Sequence, residues 1–221
     1  MLSFLPPYIY FMAISFLVSF TVYFTTKQQF RYLRLFPPFL LLSLTIDSMG
    51  LYRSSGGHNT VEIYNFFTLF EFCFYLFILS LVISRPKVRR LIRITLLTYA
   101  AISVCNIYFF QGTKSFHSLT YAMGCLLMVG FCIYYFFELF RFPKSVNLRN
   151  NPSFWICCGL LFFYCCSFPL FGMANLLSSI SRLIIVNFMN IINVLNIFLY
   201  SLFTIAFLCI IKTRKYISSL S

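Results

Sequence analysis

The chain has 221 residues, 61% of them apolar and 10% charged, and its mean hydropathy is +0.88. A water-soluble domain of this size is about a quarter charged and covers its surface with polar groups. The composition therefore excludes a soluble enzyme, a disordered chain and a collagen-like fibre, and leaves an integral membrane protein. The formal charge of +13 comes from Lys and Arg grouped in short stretches between long apolar runs, which is a membrane-topology pattern. Membrane lipids are the expected partners, and nucleic acid is not.

A helix needs about 20 mostly apolar residues to cross the hydrocarbon core. Seven stretches qualify in chain order: 7–26, 35–52, 64–84, 94–110, 118–140, 153–174 and 183–211. The first lacks a basic flank on its N-terminal side, so it is expected to be kept as a span and not cleaved. Helices are required because lipid offers backbone N–H and C=O groups no partner, and the runs do not alternate as barrel strands do. The predicted fold is an all-α membrane protein, a single domain of seven transmembrane helices covering residues 1–221.

Loop charges set the orientation. Lys27, Arg31, Arg34, Arg85, Lys87, Arg89, Arg90, Arg93, Arg141, Lys144, Arg149, Lys212, Arg214 and Lys215 fall on one side of the bilayer. Only Arg53, Lys114 and Arg182 fall on the other. The positive-inside rule then places the N-terminus outside and the C-terminus in the cytoplasm of a multi-pass inner (cell) membrane protein.

Ionisable side chains at membrane depth are costly and call for an explanation. Asp47 lies five residues before the end of the second span, and Glu71 seven residues after the start of the third. At about 1.5 Å per residue both sit roughly 8–11 Å below the outer boundary, on spans joined by a short loop. They are candidates for an outward-facing proton, cation or ligand-amine site; the alternative is two neutral carboxyls hydrogen-bonded between helices. Glu138 and Arg141 at the end of the fifth span read as a helix-end ion pair, and Glu62 reads as a solvated loop residue.

Asn65, Thr68, Glu71 and Tyr75 share one face of the third span. The seventh span carries Asn187, Asn190, Asn193, Asn196 and Tyr200, and its last four repeat that spacing. The match suggests a 3+1+3 duplication, with spans 1–3 corresponding to spans 5–7. Amides in lipid must turn toward polar partners. In the outer half these are Asp47, Glu71, Asn106, His117 and Tyr121. The candidate ligand-binding set is thus Asp47, Glu71, Asn65, Thr68, Tyr75, Asn106, Tyr121, Asn187, Asn190 and Asn193.

Tyr121, Cys125, Met128, Cys132 and Tyr135 form a stripe on the fifth span that reads as helix packing. All nine cysteines fall within spans, and the doublets Cys157-Cys158 and Cys165-Cys166 lack zinc-site spacing. No metal or cofactor is expected. No nucleotide-binding, metalloprotease or nucleophile-elbow motif occurs in the sequence.

The segments 64–72 (YNFFTLFEF) and 154–164 (FWICCGLLFFY) resemble those of a group of small seven-span membrane proteins of Bacteroidota-type bacteria. The likeness extends to the span order and to the Asn- and Tyr-containing last helix. It implies an association with signal transduction. Three functions follow as expectations. The first is a sensor or signalling-accessory protein with an outward-facing polar cavity and a signalling partner at its cytoplasmic loops. The second is a small-solute or proton-coupled transporter. The third is an intramembrane lipid hydrolase using Asp47 and Glu71 as an acid/base pair, which ranks last because no nucleophile lies beside them, so an enzymatic role is not favoured.

Overall fold

The computed structural model describes residues 5–25, 28–112, 115–141, 148–172 and 182–218. Lys27, Lys114 and Lys144 of the loop charges, and the ends of the first and sixth spans at Thr26 and Ala174, lie outside them. The described residues are helical with short connections, and none is in a strand.

Among the described residues seven long helices carry the fold: α1 (Pro7–Thr25), α2 (Phe36–Ser55), α3 (Val61–Val82), α4 (Pro86–Cys105), α5 (Ser118–Arg141), α6 (Pro152–Gly172) and α7 (Arg182–Ser218). Six helical segments are long and apolar enough to cross a membrane; the apolar part of α1, Pro7–Tyr23, is shorter. The helices present large apolar side chains outward, among them Leu17, Leu97, Leu126 and Val194, each more than half exposed. So much outward apolar surface suits a lipid solvent.

The spans differ from the expected ones most at the start of α4 and at the end of α7, which continues to Ser218, and less at the start of α3. α4 begins at Pro86, so Lys87, Arg89, Arg90 and Arg93 ride on its first turns and are not loop residues. Proline at the first helical position loses no hydrogen bond there, and Arg89 Nη2 donates to the Ile83 carbonyl at 3.0 Å. α3 begins at Val61, whose N–H donates to Asn59 Oδ1 at 2.9 Å. That start puts Glu62 in the first helical turn, where the helix dipole favours an acid. Glu138 Oε2 accepts the Ser84 N–H at the end of α3, at 3.3 Å, and Arg141 lies over the Phe137 ring.

Contacts run α1–α2–α3–α5–α6–α7 and return to α1, while α4 packs outside against α3 and α5. Met12, Ser15, Ser19 and Val22 form the fully buried face of α1. Its two serines allow close approach, as small residues do between membrane helices. The stripe from Tyr121 to Tyr135 is the buried face of α5, and Cys125 and Cys132 there meet Ile156, Cys157 and Leu160 of α6 in one core. Where the start of α2 meets α3 and α7 the core is aromatic. Phe36 of α2 makes edge contacts with Phe74 of α3 and with Phe203 and Phe207 of α7, at 5.4–5.6 Å.

Gly124 of α5 lies under the Phe72 ring, and a Cβ there would come within 2.8 Å of it. Both are locked in the core, so Gly124→Ala is expected to destabilise the fold by about 1–3 kcal/mol through overpacking. Thermal unfolding in detergent, followed by a thiol-reactive dye that reports exposure of the buried cysteines, measures this.

Candidate functional site

The end of the bundle formed by the start of α3, the start of α5, the end of α6 and the start of α7 encloses a cavity of about 310 Å³. The opposite end carries the clustered arginines Arg31, Arg34, Arg85, Arg89, Arg141 and Arg149. It is tied by Tyr32 to Ser153 (2.6 Å) and Asn151 to Tyr135 (3.4 Å).

Asp47 of α2 and Glu71 of α3 both line the cavity, and the Asp47 charge acts on Glu71. Asp47 interacts with the phenol of Tyr8 and lies beside Tyr64. The hydroxyls of Tyr75, Tyr121, Tyr164 and Tyr200 surround Glu71. The Tyr75 hydroxyl, fully buried, completes no hydrogen bond, while that of Tyr164 is directed at the Glu71 carboxyl. On the facing wall Tyr121 and Phe171 rings meet at 4.5 Å, Phe116 packs on both, and Phe188 meets Phe171 edge-on at 5.3 Å.

Of the residues expected to form the site, Asp47, Glu71, Thr68, Tyr121 and Asn193 line this cavity together. The polar face of α3 turns inward as its spacing requires, but its members separate by depth. Tyr75 lies in the core below the cavity. Asn65 lies in a buried network with the connection before α5: its Nδ2 donates to the Ser115 carbonyl (2.8 Å), and its Oδ1 accepts from His117 Nδ1 (2.6 Å) and the His117 N–H (3.3 Å). Asn106 opens a π-helical turn at the end of α4 and donates to Gln111 (2.6 Å) and Thr120 (3.3 Å). It braces α4 against α5 and does not line the cavity.

Asn187 and Asn190 are exposed, so the polar stripe of α7 is shorter than its five members suggest. A spacing of three residues falls 60° short of a full turn at each step, so successive asparagines walk off a shared face. Only Asn193, Asn196 and Tyr200, whose last step is four, stay on the cavity wall. The aromatic contributors Tyr8, Tyr64, Phe67, Phe116, Phe163, Phe171 and Phe188 were not legible beforehand, because in a chain with 31 Phe and 15 Tyr no ring stands out.

His117 stands just before α5, buried, with Nε2 3.2 Å from Thr68 Oγ1. Burial lowers its pKa from the usual 6.5 to about 4. The folded chain thus keeps the ring neutral down to about pH 4, while the unfolded chain takes up a proton below about pH 6.5. The His117 contribution to stability is therefore expected to fall as pH drops from 6.5 toward 4, and not above that window, and it is read as the difference between wild type and His117→Asn. Thermal midpoints of both proteins across this range check it: the gap between them should change by the His117 contribution between pH 6.5 and 4 and stay constant above pH 6.5.

No group of three or more His, Cys, Asp or Glu placed to hold a metal occurs among the described residues. No family model matches the chain, no curated protein matches its sequence and no solved structure matches its fold.

Proposed function

We propose that this chain is a membrane receptor-like sensor or signalling-accessory protein that binds a small ligand in the cavity between α2, α3, α5, α6 and α7. The observation that carries the reading is that the cavity ends blindly on packed rings. Below Glu71 and Tyr200 the bundle is filled by Phe36, Phe72, Tyr75, Tyr164 and Phe203, all buried. A filled floor suits binding and helix displacement better than conduction, and a ligand shifts such a bundle only by preferring one of two arrangements. Counting α1 as a seventh crossing is supported by its place in the ring between α2 and α7. With the clustered arginines at the other end, this gives an outside N-terminus, a cytoplasmic C-terminus and a cavity open to the exterior of an inner membrane. The basic face then meets anionic lipid and a signalling partner. The likeness to the seven-span group and the 3+1+3 correspondence fit the same frame. In this frame the first three helices and the last three flank the peripheral α4.

The two carboxylates at membrane depth favour the second reading, coupled transport. A thermal-shift screen of small molecules on purified protein, followed by flux measurements in proteoliposomes under a pH gradient, separates the two. The sensor reading expects a ligand whose stabilisation is lost in Tyr200→Leu and which does not accumulate. Accumulation beyond binding stoichiometry makes the chain a transporter. A screen without any cavity-dependent ligand removes both readings. Reporter tags on the two termini are expected on opposite faces of the membrane; tags on one face would overturn the seven-crossing count.

A further inference from the structure

The cavity's two walls differ chemically, and together they select a class of ligand. Among the described residues that line it, Asp47 and Glu71 are the only acidic or basic side chains, in a chain whose net charge is +13. Among the described lining residues there is no Lys, Arg or His to serve as their counter-ion. Near Glu71, the buried hydroxyl of Tyr75 completes no hydrogen bond, so polar capacity at the floor is left for a bound group. The facing wall of Phe116, Tyr121, Phe171 and Phe188 is a continuous set of ring contacts.

Aromatic faces and carboxylates share one preference, a positive charge with an apolar body. The ring quadrupole attracts cations, and such cages recognise quaternary ammonium groups. An anion would meet two acids and no base. A bare metal cation would want about six oxygen ligands at close range, and here most of the wall is apolar. A volume of about 310 Å³ holds roughly ten waters' worth of matter, which is the scale of a small organic ion.

Building on the ligand-binding reading above, we propose that the cavity binds an organic ammonium ion. Its cationic head sits between Asp47 and Glu71, and its apolar body lies against the rings of Phe116, Tyr121, Phe171 and Phe188. The head supplies a counter-charge that the described lining does not, and the body replaces water on the aromatic wall.

Isothermal titration of the full chain in a maltoside detergent tests this with three probes of one shape: benzyltrimethylammonium, its neutral analogue dimethyl benzyl carbinol, and the anion phenylmethanesulfonate. The expected result is that the ammonium binds at least tenfold more tightly than the carbinol, with no binding of the sulfonate. Glu71→Gln and Asp47→Asn should each lower ammonium affinity at least tenfold and leave carbinol affinity within about twofold. Equal or tighter binding of the carbinol or the sulfonate to the wild-type chain overturns the proposal, whether or not the variants fold. If that binding is lost in Phe171→Ala, the cavity remains a ligand site and only the ammonium assignment falls. Absence of binding by all three probes also overturns the proposal, and the ligand-binding reading then rests on the broader screen.

Discussion

Glu71→Gln is expected to weaken binding of benzyltrimethylammonium by about 10- to 100-fold while leaving the thermal midpoint of the unliganded protein unchanged or raised. The two effects come from different partners. A hydrogen bond to a charged group contributes about 1.5–3 kcal/mol, which in affinity is roughly one to two orders of magnitude. In the unliganded protein no basic residue among the cavity's described lining pairs with Glu71, so the substitution removes a carboxyl without stranding a cation. The carboxamide still offers an oxygen to the surrounding tyrosine hydroxyls. A residue kept for a ligand at the expense of stability has this signature. The opposite result, a lower midpoint with unchanged binding, would make Glu71 a structural hydrogen-bonding group between α3 and α6. Titration calorimetry and thiol-dye unfolding on the same preparations give both numbers. Asp47→Asn is expected to follow the same pattern. Because the two carboxylates share one cavity, the double variant should lose less than the sum of the single losses.

Phe72→Ala is expected to destabilise the fold by about 3–5 kcal/mol, the range for removing a buried ring. Phe72 is fully buried one residue beyond Glu71, and its ring touches Tyr99 of α4, Tyr121 of α5 and Tyr164 of α6 at 5.0–5.5 Å. One side chain thus holds three helices to α3. Two of its neighbours, Tyr121 and Tyr164, also surround Glu71. Loss of the ring should therefore lower both the thermal midpoint and ammonium affinity, in contrast to Glu71→Gln. Phe72→Leu, which keeps most of the volume, is expected to recover more than half of the lost stability. Failure of that recovery would show that ring geometry, and not filled space, positions the floor.

Much of the molecule was legible in its amino acids because hydropathy and helical period are local properties. Apolar runs separated by basic turns point to a lipid solvent and a helical backbone, and the described residues hold six helices long and apolar enough to cross a membrane beside the shorter α1. The polar face of α3 follows from 100° per residue, and the structure turns Asn65, Thr68 and Tyr75 inward on that face. The start of α4 was misplaced for an equally local reason. A hydropathy reading treats Lys87, Arg89, Arg90 and Arg93 as loop, whereas Pro86 and the backbone need only a helix, and long basic side chains reach water from its first turns.

The tertiary structure alone decided which faces meet. No periodicity tells that α7 closes on α1, that α4 stays outside the ring, or that Tyr8, Phe116 and Phe171, far apart in sequence, converge on Asp47 and Glu71. Nor does it separate Asn193, which lines the cavity, from Asn190, which does not. A helix's own pattern states which side avoids lipid. The identity of the neighbour depends on the fit of rings and small residues across interfaces, as where Phe72 rests on Gly124, and such fits are properties of pairs of helices rather than of either one.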